Sequence, residues 1–288
     1  MDEVICKIFD EANFFEQQGY EKTASQTNEL AIRVEQKKIR DVTTILGEVL
    51  KIGNTFSSEF EALSPFGAEY RKKCVPQTQL IVFGGLMAMD KEQLPPPEFL
   101  INLIKKMNAQ DDYINALNKS LAALLSKNNR TPEESQEMFR DACIIYEKSI
   151  EGSFSSAAKI MYFLMQKMDD CITEANETQT VMDICSNLQK AKVNIPVFLE
   201  NWPEKNHIRN AIAHAQNQYD PILDRVHFVN KDRDDKITYE SPVDMTFEDF
   251  FEIWMQVADA IDSLRYSMRI YGVFQTLAMY HFRQQAGT

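Results

Sequence analysis

The chain has 288 residues, 44% apolar and 26% charged, with 9 glycines and 10 prolines, which excludes a stapled miniprotein, a collagenous repeat and a disordered chain. At about 150 residues per domain this is length for one large or two modest domains. The 31 Lys+Arg against 43 Asp+Glu give a formal charge of -12, which repels polyanions at long range and disfavours general coating of nucleic acid or anionic membrane, while leaving room for a local phosphate site.

Read along the chain, nearly every long segment repeats its apolar residues at three- and four-residue steps, so the fold class is all-α, a multi-helix bundle. The acidic start Met1-Asp2-Glu3-Val4, with no apolar stretch after it, predicts no secretory leader and a cytoplasmic location. Val4, Ile5, Ile8, Phe9 and Phe15 mark a helix over 2–18 that ends at Gly19. Ile39, Val42, Leu46 and Val49 place a second over roughly 28–52, before Gly53. Pro65, Gly67 and Pro76 predict an irregular stretch, and the run Leu80–Met89 then predicts a third helix, half the length of a membrane span. Pro95-Pro96-Pro97 breaks it.

Helices resume at Glu98–Met107 and Asp111–Ser126, and Thr131-Pro132-Glu133-Glu134 caps another that reaches about Ser149. Gly152 and Ser153 open the next, whose stripe Phe154, Ala157, Ile160, Met161, Leu164 and Met168 faces a core. The domain division is placed here, between a regulatory or partner-binding region, 1–150, and a second helical domain, 151–288. Thr178–Lys190 is a further helix, and Asn194-Ile195-Pro196 a turn. Asn201-Trp202-Pro203-Glu204 starts a helix to about Gln216, which Tyr219-Asp220-Pro221 stops. Arg225–Val229 and Lys236–Tyr239 flank the charged loop 230–235 as a small β-hairpin. Thr246, with Asp249 three residues on, caps a long closing helix with the stripe Phe250, Trp254, Val257, Ile261, Leu264 and Met268.

Five widely spaced cysteines without a C-x-x-C pair fit a reducing compartment, and their spacing to the four histidines does not suit zinc. The Asp232–Asp235 cluster lacks the glycine and terminal glutamate of a calcium loop. No phosphate-binding glycine loop, nucleophile elbow or H-E-x-x-H is present, so no metal site and no cofactor are expected.

The chemistry-bearing stretch is Asn206-His207-Ile208-Arg209-Asn210-Ala211-Ile212-Ala213-His214-Ala215. At about 100° per residue, Ile208, Ile212 and Ala215 share an apolar face, whereas His207, Asn210, His214 and Asn217 stack along a polar one, with Arg209 beside it. Such a stripe is expected to be exposed or to line a cleft. An arginine fork that holds a phosphate, near a histidine that moves protons at neutral pH, suffices for metal-free cleavage of an RNA phosphodiester. The same residues also suit a structural role, with Arg209 paired to a carboxylate such as Glu204 and His214 closing a helix end.

Arg209-Asn210-Ala211-Ile212-Ala213-His214 resembles the arginine, polar residue, spacers, histidine signature of HEPN domains, the higher eukaryote and prokaryote nucleotide-binding family. The break, short hairpin and long helix that follow extend the resemblance over residues 150–288. It implies a bundle that forms a homodimer with two motif copies in one cleft, and a metal-independent endoribonuclease of bacterial or phage defence and toxin systems. In that scheme His214 is general acid and base, Arg209 steadies the phosphate, Asn210 orients groups, and His207 helps bind substrate; RNA and a regulatory protein are the partners. Position 216 is glutamine, so the toxin subgroup's tyrosine two residues after the histidine is missing. The family also includes inactive members, which implies the alternative of a dimerisation or nucleotide-binding scaffold.

Overall fold

A computed structural model describes residues 2–39, 41–63, 67–92, 96–109, 121, 127, 130–176, 178–229 and 243–286. The fold is all-α with a small antiparallel sheet before the long C-terminal helix. The helices are α1 Glu3–Gln17, α2 Glu21–Glu35, α3 Val42–Ala62, α4 Ala68–Glu92, α5 Glu98–Ala109, α6 Pro132–Lys148, α7 Ser155–Met168, α8 Val181–Lys190, α9 Trp202–Ala213 and α10 Phe247–Ala286. The chain divides into two compact units, residues 1–87 with 262–288, and residues 88–261. Across Gly152 a π-helical turn, Ser149–Phe154, joins α6 to α7 without interruption. A single π turn lets a helix absorb an irregular insertion without breaking. Gly152 and Ser153 are buried inside it, with Ser153 Oγ donating to the Met107 carbonyl at 3.1 Å.

In the first unit, Phe15, Tyr20, Phe56, Phe60 and Tyr266 form one aromatic cluster, with ring centroids 5.0 Å apart for Phe56 and Tyr266. The helix expected over 28–52 is two: α2 ends, Lys37 takes the left-handed conformation at φ 57°, and Asp41 caps α3 by accepting from the Thr44 N–H at 2.7 Å. Lys38 N–H returns to Arg33 O and Lys37 N–H to Val34 O, closing α2 in a Schellman turn without glycine. From Ala68 on, the stretch expected to be irregular is instead helical, since α4 begins there and carries Pro76 in its interior, while Pro65 lies outside the described residues. Asp111–Ser126 lies outside the described residues except Leu121.

In the second unit Thr131 and Glu134 form a reciprocal capping box at the start of α6, and Thr180 and Asp183 do the same for α8. Strands β1 Asn217–Asp220, β2 Arg225–Phe228 and β3 Val243–Met245 follow α9 in the order β1-β2-β3. The hairpin therefore pairs residues 217–220 with 225–228, in the register Asn217↔Phe228, and its turn is Pro221–Asp224. Tyr219 and Asp220, expected to stop a helix, belong to β1; Lys236–Tyr239, expected as the second strand, lies outside the described residues. Asp220 Oδ1 accepts from the N–H groups of Ile222 and Leu223, which fixes the turn. Thr246 and Asp249 cap α10 as expected, each side chain bonded to the other's backbone N–H.

Candidate functional site

The motif helix α9 is fixed at its start by aromatic packing. Phe154, at the end of the π turn, stacks on Phe198 at 4.9 Å and on Trp202 at 5.5 Å, the latter pair tilted by only 4°. All three rings are buried. Such burial contributes several kcal/mol and sets the direction in which α9 leaves.

The other end of α9 is a second Schellman turn. His214 is the C-cap, Ala215 turns left-handed at φ 52°, Ala215 N–H bonds Ile212 O, and Gln216 N–H bonds Ala211 O at 2.7 Å. The helix thus ends before Gln216, and Asn217 sits on β1 rather than on the polar face of α9. Ile212 is half-buried and Ala215 exposed, so the face that docks is carried by Trp202, Ile208 and Ala211.

The four candidate residues part company. His207 is 2% exposed, with Nε2 3.4 Å from the Phe228 carbonyl on β2. Burial pulls its imidazole below the usual histidine range, against the opposing pull of that carbonyl and of Glu204, so it is neutral at pH 7. The expected exposed, phosphate-binding His207 is corrected to a buried one, because β2 lies on α9 and covers that side of the stripe. Asn210 is half-buried and His214 exposed; among the described residues the His214 imidazole makes no hydrogen bond or ion pair.

Arg209 lies elsewhere. Five residues separate it from His214, about 140° around the helix axis. Its Nη1 is 3.6 Å from Oε1 of Glu151 in the π turn, with side chains 29% and 42% exposed, and its Nε is buried without a hydrogen bond. The carboxylate partner is Glu151, not Glu204, which nothing in the sequence marked. Arg209 also acts on Tyr146, whose buried hydroxyl donates to the Lys205 carbonyl at 2.9 Å and is held well above the usual tyrosine range by burial and by Glu204, with Arg209 opposing. Lys205 is buried in turn, its Nζ donating to Glu200 O at 2.7 Å.

Between α6 and the junction of α9 with β1 runs a groove of about 640 Å³. Gln136, Arg140, Ile144 and Glu147 supply one wall; Ile212, Ala215, Asn217, Gln218 and Tyr219 supply the other. Two hydrogen bonds tie the walls, Gln136 Nε2 to the Tyr219 carbonyl at 2.6 Å and Asn217 Nδ2 to Cys143 Sγ at 3.6 Å. Burial and Glu147 push the Cys143 thiol far up, so it is no nucleophile. The wall residues of α6 were missed in the sequence, where that helix showed only its cap, and Asn217 was read on the polar face of the motif helix rather than on a strand.

Among the described residues no cluster of three or more His, Cys, Asp or Glu is placed to hold a metal ion, and no helix is long and apolar enough to cross a membrane. No protein-family model, no curated protein and no solved structure matches the chain.

Proposed function

We propose that the protein is a HEPN-like, metal-independent endoribonuclease of the cytoplasm, working as a homodimer in a bacterial or phage defence or toxin setting under a regulatory partner. The reading is supported above all by the free imidazole of His214 at the exposed end of α9, with Asn210 beside it. Arg209 is available too: a partly exposed ion pair at 3.6 Å contributes about 0–1 kcal/mol, so a phosphate that offers two oxygens to the fork can replace Glu151. Because Arg209 and His214 diverge around the helix, the reading needs two copies, each phosphate held by the arginine of one and worked on by the histidine of the other. In that scheme His214 removes the ribose 2′-hydroxyl proton, the 2′-oxygen attacks phosphorus, the bond to the 5′-oxygen breaks, and that oxygen leaves with a proton from the imidazolium so formed. The products are a 2′,3′-cyclic phosphate and a 5′-hydroxyl.

A second reading, a non-catalytic dimerisation or nucleotide-binding scaffold, is favoured by the Glu151–Arg209 pair and by the buried, neutral His207. The two separate on end-labelled RNA in excess EDTA with wild type, His214→Ala and Arg209→Ala. The nuclease reading expects cyclic-phosphate ends from wild type, a loss of at least about a hundredfold in each variant, unchanged circular dichroism, and a dimer in sedimentation. Equal cleavage by wild type and His214→Ala, or a monomer that cuts, refutes it; a dimer that cuts nothing leaves the scaffold.

A further inference from the structure

The groove between α6 and β1 meets the motif at one end. Ile212 on its wall is three residues from Arg209 and Glu147 is four from Glu151, so on each chain segment the Arg209–Glu151 pair lies about one helical turn from a lining residue of the groove. Its about 640 Å³ is in the range of small-ligand sites, a few hundred to a thousand Å³.

Its chemistry is neutral and amide-rich. Arg140, already 3.6 Å from Glu137 and 3.8 Å from Asp141, and Glu147 both line it, Ile144 and Ile212 give apolar walls, and two carboxamides, Gln136 and Asn217, lie together, Gln218 alternating to the other face of β1. The ties that hold Gln136 and Asn217 use their N–H groups, and their carbonyl oxygens make no hydrogen bond among the described residues. Oriented carboxamides against apolar walls suit a flat heterocycle with donors and acceptors on one edge, and they suit a phosphate or a charged peptide poorly. Asparagine and glutamine pair with adenine through its amino group and ring nitrogen, using one acceptor and one donor.

We propose that this groove is a nucleobase subsite, favouring adenine, that seats a base of single-stranded RNA with its flanking phosphate toward Arg209. The proposal rests on the RNA reading above for its substrate, but base binding does not require cleavage.

The test is calorimetric titration of the full-length protein with adenosine, uridine and adenosine monophosphate, on wild type, Asn217→Ala, Ile144→Trp and Arg209→Ala. Adenosine is expected to bind saturably and at least about tenfold more tightly than uridine, and Asn217→Ala to weaken it about tenfold, the loss of one bidentate base contact. Ile144→Trp fills the groove and abolishes binding. Arg209→Ala leaves adenosine unchanged but removes the advantage of the monophosphate. No saturable adenosine binding, equal binding of uridine, or indifference to Asn217→Ala overturns the subsite, and the alanine variant decides even if the tryptophan variant misfolds. Adenosine binding without RNA cleavage refutes the nuclease alone; cleavage without adenosine binding refutes the subsite alone.

Discussion

Phe154→Ala tests what holds the motif helix in place. The ring is fully buried in the π turn and lies face to face with Phe198 and Trp202 at 4.9 and 5.5 Å. Removing it deletes a core aromatic and leaves a cavity between two rigid rings that cannot collapse, which costs about 3–5 kcal/mol. The polar alternative in the same turn is the Arg209–Glu151 pair, partly exposed and 3.6 Å apart, worth about 0–1 kcal/mol. The stack therefore outweighs the ion pair several-fold. Urea unfolding followed by far-ultraviolet circular dichroism is expected to give Phe154→Ala a loss in that range and Glu151→Gln less than about 1 kcal/mol. Phe15→Ala, in the other compact unit, shows whether a separate transition belongs to each. If Glu151→Gln costs as much as Phe154→Ala, the ion pair holds the helix and the reasoning fails.

Further outcomes are specific. His207 is pulled below its ordinary value of 6.5 by burial, so the unfolded chain takes the proton first; this contribution to stability is full above about pH 6.5 and lost as pH falls through it, at no more than about 1.4 kcal/mol per pH unit. His207→Gln removes that component, read as a flatter dependence of the urea midpoint on pH. Ala215, left-handed at φ 52°, is strained relative to glycine, so Ala215→Gly raises stability by about 0.5–1 kcal/mol in the same assay; a loss refutes the turn. Alkylation of the native protein, mapped by mass spectrometry, reaches exposed Cys171 well before buried Cys185, whose thiol burial pushes up to about 11. Thr246→Ala removes both hydrogen bonds of the Thr246 hydroxyl at the α10 cap, leaving its backbone N–H on Asp249, and costs about 1 kcal/mol of thermal stability.

What the residues disclosed about the fold was local. Thr131 with Glu134, and Thr246 with Asp249, mark their helix starts because each partner of the capping box is three residues away, and Gly19 marks the end of α1 because it turns left-handed there without strain. Lys37, Lys192 and Ala215 close three other helices in the same conformation with no glycine to announce it, so the break between α2 and α3 and the short end of α9 went unread. Pro76 and Gly152 sit inside continuous helices because the surrounding core outweighs a lost hydrogen bond or a flexible residue.

At the candidate site the division is similar. Helical spacing on its own placed Asn210 and His214 together on one side of α9, with Arg209 beside that stripe. Only tertiary packing decided that β2 buries His207, that Arg209 meets Glu151, and that α6 and β1 leave an amide-lined groove one turn away. Those contacts join residues from 21 to 83 positions apart in the chain. Periodicity reports which side of a helix a residue occupies, whereas a partner that distant is chosen by how the elements pack.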